Sequence, residues 1–353
     1  INAQTLEINI ELDYKVIKGQ AIEVTAQAKG QMDAINKQLN SASIKNIISS
    51  DKIQELPDAN AAEALARVPG LSIKREGGEG NKIVIRGLSP KYNKITVNGA
   101  NLASTDPDDR STDISMISQY VIEEIEVTKA GTPDQEADML GGTVNFKLRK
   151  AKEGFHGNLI SKGMHNGLKE TYDDYKVVMD VSNRFFSHRL GMIAQIDTEK
   201  RNRSSHNLRA SYDNTPADLS TVNPLNFNGL GLSEIIRDNT RKNHLLLIDY
   251  KIKNGTLSYT SINSTIKKDI MSYGESYGIT QSLGGRYLNN GDIVNKINVM
   301  NETWNYEKQI NPNLSFEIFN SFSRSTNGDT SYVFRFIQDQ AFTEPLFNKN
   351  INT

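Results

Sequence analysis

From about Phe155 to Ser323 the sequence carries segments that alternate between apolar and polar residues, separated by connections that are short, then long, then short. Tyr175, Val177, Met179 and Val181 fall on one side, with Lys176, Asp180 and Ser182 on the other. Leu190, Met192, Ala194 and Ile196 alternate with Gln195 and Asp197, and Leu314, Phe316, Ile318 and Phe322 with Ser315, Glu317, Ser321 and Ser323. A period of two belongs to strands whose two faces meet different surroundings. Their connections follow a rhythm. A brief turn, Asn183–His188, is followed by a polar stretch of about forty residues, Glu199–Lys242, before His244–Tyr250. Asn254-Gly255 is a hairpin signal into Leu257 and Tyr259, and a second polar segment, about Lys268 to Asp292, precedes Ile293–Tyr306. Asn311-Pro312 then turns the chain again.

Short turns near 185, 254 and 311 thus occupy every second connection. Outer-membrane barrels have that topology, with short periplasmic turns, long outer loops and strands of about ten residues facing lipid and lumen alternately. A soluble β-sandwich alternates too, but its loops need not sort by length in succession. Phe155, Phe185, Phe186, Tyr250, Trp304 and Tyr306 fall near strand ends, where they suit interface girdles or serve simply as strand formers. About seven strands can be counted, from 153 to 353. No apolar run approaches the ~20 residues of a spanning helix, so the membrane reading rests on strands alone. The 41 basic and 42 acidic residues nearly cancel, and no basic field calls for nucleic acid. Cysteine is absent, which removes disulfides, thiolate metal sites and cysteine nucleophiles. The first residue is Ile1, and the expectation is a processed or truncated amino end. Phe347–Thr353 reads as the middle of a loop.

The first part of the chain has another character. Leu6, Ile8, Ile10 and Leu12 alternate with polar residues, so 1–30 reads as the end of a small β-domain followed by a linker around Ile22-Glu23-Val24-Thr25-Ala26. Residues 31–152 read as an α+β unit. Pro57-Asp58 offers a helix start with Asp58 as cap, Ala59–Val68 is helix-forming, and Pro69-Gly70 stops it. Leu71 and Ile73 begin a strand, Gly77-Gly78-Glu79-Gly80 turns it, and Ile83–Ile85 forms the next. Asn98-Gly99 is a tight turn after Ile95 and Val97. A polar loop, Ser104–Thr112, leads to a short helix ending near Gln119, and strands at Ile122–Thr128 and Thr143–Leu148 close the unit.

Several motifs in this unit occur in a distinctive order: Leu56-Pro57-Asp58; Ala64-Leu65 with Val68-Pro69-Gly70; Ile85-Arg86-Gly87; Val97-Asn98-Gly99; Ile125-Glu126-Val127-Thr128-Lys129; and Gly141-Gly142-Thr143-Val144-Asn145. In that order they resemble the plug of TonB-dependent outer-membrane transporters. The resemblance implies an α+β plug inside an antiparallel transmembrane β-barrel, incomplete in this chain, of about 22 strands when whole. It implies that Ile22, Glu23, Val24, Thr25 and Ala26 are the TonB box, an extended peptide that adds to a partner's sheet edge. It implies that Arg86 and Lys129 latch the plug to barrel carboxylates beyond Thr353. The family commonly has Arg-Gly-Pro where this chain has Lys129-Ala130-Gly131-Thr132-Pro133, and lysine lacks the bidentate fork. Leu102-Ala103-Ser104-Thr105-Asp106, with Asp113 after Arg110, is similar to the long-plug subgroup associated with glycan or oligomer uptake. Plug apices would present Ser89, Lys91, Tyr92, Asp106, Asp108, Asp109 and Arg110 to a substrate.

Other chemistry is weakly supported. Gly77-Gly78-Glu79-Gly80 lacks the Gly-Lys-Ser/Thr and helix of a phosphate loop and the strand–turn–helix of a dinucleotide fingerprint; a plain turn is the better reading. His156, His165, His188, His206 and His244 show no metal spacing. Asp106-Pro107-Asp108-Asp109-Arg110 could ligate calcium through oxygen, but lacks the EF-hand glycine and late glutamate, so a solvated apex loop is favoured. Lys200-Arg201-Asn202-Arg203 reads as a solvated loop or a contact for lipopolysaccharide phosphates. No catalytic constellation can be placed, and neither a cofactor nor a metal is expected.

The expected function is TonB-dependent transport across the bacterial outer membrane, with TonB and the ExbB-ExbD motor, outer-membrane lipid and lipopolysaccharide as partners. A surface lipoprotein is a further partner this reading allows. Siderophore, cobalamin, glycan and peptide carriers share such a plug, so substrate identity stays open. Two other classes compete: a plugged barrel subunit of a surface-protein export or lipoprotein complex, and a soluble carbohydrate-binding β-protein. An enzyme is the least favoured.

Overall fold

The structure is a computed structural model that describes residues 26–41, 43–54, 60–129, 139–213, 226–278 and 286–338. Residues 1–25, with the strand expected over Ile1–Lys18 and with Ile22, Glu23, Val24 and Thr25, lie outside them. Ala26, expected in the extended box, instead opens helix α1 (Ala26–Leu39).

The plug is built on a five-stranded sheet. Its order is β1 (Lys45–Ser49), β6 (Ile122–Thr128), β7 (Gly142–Leu148), β4 (Asn93–Val97) and β5 (Ala100–Asn101). Only β4 and β7 pair in parallel. A separate hairpin joins β2 (Leu71–Glu76) to β3 (Glu79–Ile85). Helix α3 (Ala61–Leu65) packs beside it, while α2 (Ser50–Gln54) packs on β1 and β6 of the larger sheet. The core gathers Leu65, Ile83, Ile85, Ile125, Val127, Val144 and Phe146, all nearly or fully buried. The Asn98-Gly99 turn forms as expected, both residues at positive φ (48° and 86°); asparagine and glycine are the residues that tolerate this. The expected cap on α3 is corrected. Asp58 lies outside the described residues, and Asn60 caps the helix by accepting from the Ala62 N–H at 2.9 Å.

The wall is an eight-stranded antiparallel sheet: β8 (His156–Asn166), β9 (Thr171–Phe185), β10 (Leu190–Asn202), β11 (Ser205–Asp213), β12 (Asn226–Ile252), β13 (Gly255–Gly278), β14 (Arg286–Asn311) and β15 (Leu314–Gln338). β10 and β11 both pair with β12, end to end, so they form one wall position interrupted at Arg203-Ser204. Seven positions result, matching the count from alternation. The length expectation is corrected. β12, β13, β14 and β15 run 24 to 27 residues, and most of the polar stretches read as long loops are strand. Polar side chains there pair across strands, as Arg286 of β14 with Glu275 of β13 and Arg335 of β15 with Asn289 of β14, so the polar stretches are strand rather than loop.

Face assignment follows the alternation. On β9, Asp174, Lys176, Val178 and Asp180 are buried, Lys176 over the plug's Tyr120 and Asp180 beside its Arg149, while Tyr175 and Met179 are exposed and Val177 half-buried. On β10, Ile193, Gln195, Asp197 and Glu199 turn inward, with Ala194 and Ile196 outward. Leu245 of β12 and Ile262 of β13 join the plug's own apolar cluster. A second cluster joins Met116 of the plug to Ile266, Ile297 and Val299. The plug is seated on the wall by shared core.

Candidate functional site: the plug against the wall

The Gly77-Gly78 turn, with φ of 56° and 76°, reverses the chain so that Glu79 opens β3 facing the wall. Glycine is needed here because two successive residues take the left-handed conformation. Asn60 ties Glu79 to α3: its Nδ2 donates to Glu79 Oε1 at 2.9 Å and to the Gly80 carbonyl at 3.1 Å. From the wall, Arg241 Nη2 donates to the same Oε1 at 3.0 Å, and Arg203 Nη2 stands 3.7 Å away. Burial pushes the Glu79 carboxyl upward, but Arg241, Arg203 and the Asn60 bond outweigh it and hold it below the ordinary range.

Arg241 is the hub. It also donates to Ser115 Oγ at 3.2 Å and stands 3.6 Å from Glu199. Ser115 in turn donates both its N–H (2.9 Å) and its hydroxyl (2.6 Å) to Asp113 Oδ1. Asp113 is wholly buried, and burial raises its carboxyl despite Lys268 and Arg241 nearby. Further round, Ser118 Oγ donates to Asp197 at 2.7 Å and accepts from Gln195 at 2.8 Å. Lys176 stands 3.0 Å from Glu199 and over the ring of Tyr120. These wall charges all sit on inward positions of β9, β10 and β12. Alternation gives the direction of Lys176 and Asp197, whereas Glu199, Arg203 and Arg241 fall in a stretch that reads as a polar loop; in neither case does it say which plug residue each meets.

The Asp106 loop lies against the later strands. Asp106 pairs with Lys82, which lowers its carboxyl. Asn327 of β15 donates to the Thr105 carbonyl at 2.9 Å, and Ser323 accepts from the Ala103 N–H at 2.9 Å. A cavity of about 240 Å³ opens beside the loop, lined by Glu76, Lys82, Asp106, Asp113, Lys268 and Asp329 among others. Asp108 and Arg110 are exposed on the loop's tip and Asp109 is half-buried. Ser89, Lys91 and Tyr92 are also exposed, but at the other end of β3. Among the described residues no side-chain hydrogen bond joins them to the wall, and Lys91 lies over the Tyr92 ring. The two sets of apex residues are therefore not brought together.

Arg86 donates to the carbonyls of Leu140 (2.9 Å) and Gly141 (3.0 Å), and Lys129 to that of Pro69 (2.6 Å). Both are held by plug backbone. The Lys200–Arg203 segment is corrected: Lys200–Asn202 is the end of β10, Arg203 stands at the break before β11, and Arg201 and Arg203 lie beside Glu199 and Glu79 on the side of the wall that meets the plug.

Residues 37–143 match the family model described as the TonB-dependent Receptor Plug Domain. Over 105 residues the chain is 27% identical to the vitamin B12 transporter BtuB of Vibrio vulnificus, covering 29% of this chain and 17% of that protein. Among solved structures, the siderophore receptor PirA from Acinetobacter baumannii aligns with a TM-score of 0.42 at 14% identity, covering 87% of this chain and 59% of that one. A ferric enterobactin receptor mutant, PfeA from Pseudomonas aeruginosa, in complex with enterobactin, aligns with a TM-score of 0.40 at 11% identity, covering 83% and 60%. The chain spans less than two thirds of each of these relatives.

Proposed function

We propose that this chain is the plug and part of the β-barrel of a TonB-dependent receptor of the bacterial outer membrane, a reading supported by the plug-domain match over residues 37–143, and that it serves active, plug-gated import energised through TonB. The observation that carries this reading is the buried, charged contact between Glu79 of the plug and Arg241 of the wall. A plug seated by a polar network can let go in part, since local opening needs no loss of its apolar core. No nucleotide is available outside the cytoplasm to drive that opening, so the work comes from the inner-membrane proton gradient. TonB, with its ExbB-ExbD motor, would pull on the segment Ile22–Thr25 that precedes α1.

Domain limits of 1–30, 31–152 and 153–353 fit this division of labour. Substrate would enter between the Asp106–Arg110 loop and the strands facing it, with Ser89, Lys91 and Tyr92 as further contacts. Arg86 and Lys129 would complete their latch on carboxylates of the barrel wall. The outward faces of the strands would meet outer-membrane lipid and lipopolysaccharide, and a surface lipoprotein could cap the outer end.

The test is binding of the full-length receptor to the purified periplasmic domain of TonB, measured calorimetrically. Val24→Pro removes an amide that an added strand requires and should weaken binding at least tenfold. Equal affinity of variant and wild type would overturn the assignment of the box.

A further inference from the structure

Arg203 and Arg237 face each other directly across the β10–β11/β12 seam. The Arg203 N–H donates to the Arg237 carbonyl at 2.7 Å, and the Arg237 N–H to Ser204 Oγ at 3.2 Å. Both side chains fall on the inward parity of the wall, in register with buried Glu199 and Arg241. Like charges directly opposite on one sheet face destabilise the pair. Arg201 and Arg241 crowd the same patch, and the carboxylates that answer them, Glu79 and Glu199, are already shared.

The donors are also unfilled. Arg203 Nε and Nη2 and Arg237 Nε are buried with no hydrogen-bond partner; the 3.7 Å from Arg203 to Glu79 is within Coulombic reach but too long for a bond. Among the described residues no carboxylate stands within ion-pair distance of Arg237. Its guanidinium lies on the plug turn, where a Cβ on Gly77 would meet Nη1 at 2.3 Å. Together Gly77, Gly78, Asn202, Arg203, Ser204 and Arg237 border a cavity of about 600 Å³. Arg237 lies roughly fifteen residues from the short turn at Lys253-Asn254. At ~3.3 Å per residue, even a tilted strand carries it past the ~25 Å apolar band, to the outer mouth.

We infer that this cavity is an oxyanion subsite, which accepts a phosphate, sulfate or carboxylate group of the transported molecule. The inference rests on the import reading and deepens it to a substrate class. Two guanidinium forks on one side of a cavity suit the paired oxygens of such a group, and the bound anion relieves the Arg203–Arg237 repulsion. Lumen-facing side chains cannot reach the phosphates of the surrounding lipid, so the anion comes from solution.

The experiment uses the full-length receptor in neutral detergent and inorganic phosphate as probe, with chloride at equal ionic strength as control. Phosphate should raise the melting temperature of the wild type, and Arg237→Gln should weaken its apparent affinity at least tenfold. Arg237→Lys, which keeps charge and loses the fork, should fall between. As a measurement independent of any variant, phosphate should slow modification of Arg203 and Arg237 by phenylglyoxal, read by mass spectrometry. An equal response to phosphate and chloride, an unaltered affinity in Arg237→Gln, or no protection would each overturn the subsite. TonB is absent from these assays, so their failure leaves the Val24 test untouched, and the reverse holds too.

Discussion

Glu79 of the plug and Arg241 of the wall meet at 3.0 Å with 5% and 4% of their surfaces exposed. Removing one partner of a buried pair strands the other, at a cost of about 3–5 kcal/mol. Arg241→Met should therefore loosen the plug strongly, because Glu79, Glu199 and Asp113 all lose their shared cation. Glu79→Gln combined with Arg241→Met should cost less than the sum of the two single changes. Protease susceptibility of the plug in the full-length receptor, run as a double-mutant cycle, reads this; strict additivity would mean that the contact does not couple plug to wall.

The same contact sets a pH dependence with two opposing parts. Glu79 is lowered in the folded state, so its stabilisation is present above the unfolded carboxylate value and is lost as pH falls through the folded one. Asp113 is raised, so its contribution is fully present below the unfolded value and fades as pH rises through the folded one. Asp113→Asn keeps the oxygen that accepts from Ser115 and cannot ionise. Its plug should match the wild type in strong acid and become relatively more stable toward neutral pH. Hydrogen exchange of β3 amides across that range is the measurement, and a pH-independent difference would contradict the direction given for Asp113.

Asn60 supports two things at once, the first turn of α3 and the Glu79 carboxylate. Asn60→Ala should lose the cap, about 1 kcal/mol, and leave Glu79 short of a donor. Asn60→Asp is the sharper experiment. It retains a capping oxygen but sets a second carboxylate where an amide donated at 2.9 Å. Thermal unfolding of the receptor should rank aspartate no better than alanine; aspartate equal to wild type would show that only the cap matters.

How far these relationships could be read from the sequence depends on the kind of signal. Tyr175, Val177 and Met179 opposed to Lys176 and Asp180 announce a two-faced strand, because alternation is local and survives in a single sequence. Asn98-Gly99 and Gly77-Gly78 announce their turns for the same reason. Arg203 misled: a basic run after an apolar strand looks like a solvated loop, and only pairing with β12 turns it to the lumen. Strand ends misled likewise. A strand that runs past a bilayer no longer needs an apolar face, and Lys267–Tyr277 pairs with β14 throughout although its sequence reads as a polar loop. Helix α1, with Met32 and Ile35 exposed and Ala34 buried, offers too little apolar stripe to be recognised.

Met179 faces outward on β9, 53% exposed and paired with Ile196 on β10. It lies about seven residues from the short turn after Phe185, which puts it near the middle of the ~25 Å apolar band if that band begins at the turn. Phe186 sits in the turn itself, with φ of 53° and 75% exposed. An arginine placed at the lipid midplane of such a wall costs about 2–4 kcal/mol, falling toward ~0–1 at the interface. Met179→Arg should therefore destabilise the full-length barrel by the larger amount and Phe186→Arg by the smaller, in denaturant titrations of receptor folded into phospholipid vesicles. Neighbouring Lys176 is charged already and tolerated, since its side chain points to Glu199 and the Tyr120 ring rather than to lipid. Equal costs at 179 and 186 would mean that the outward face of β9 does not meet hydrocarbon.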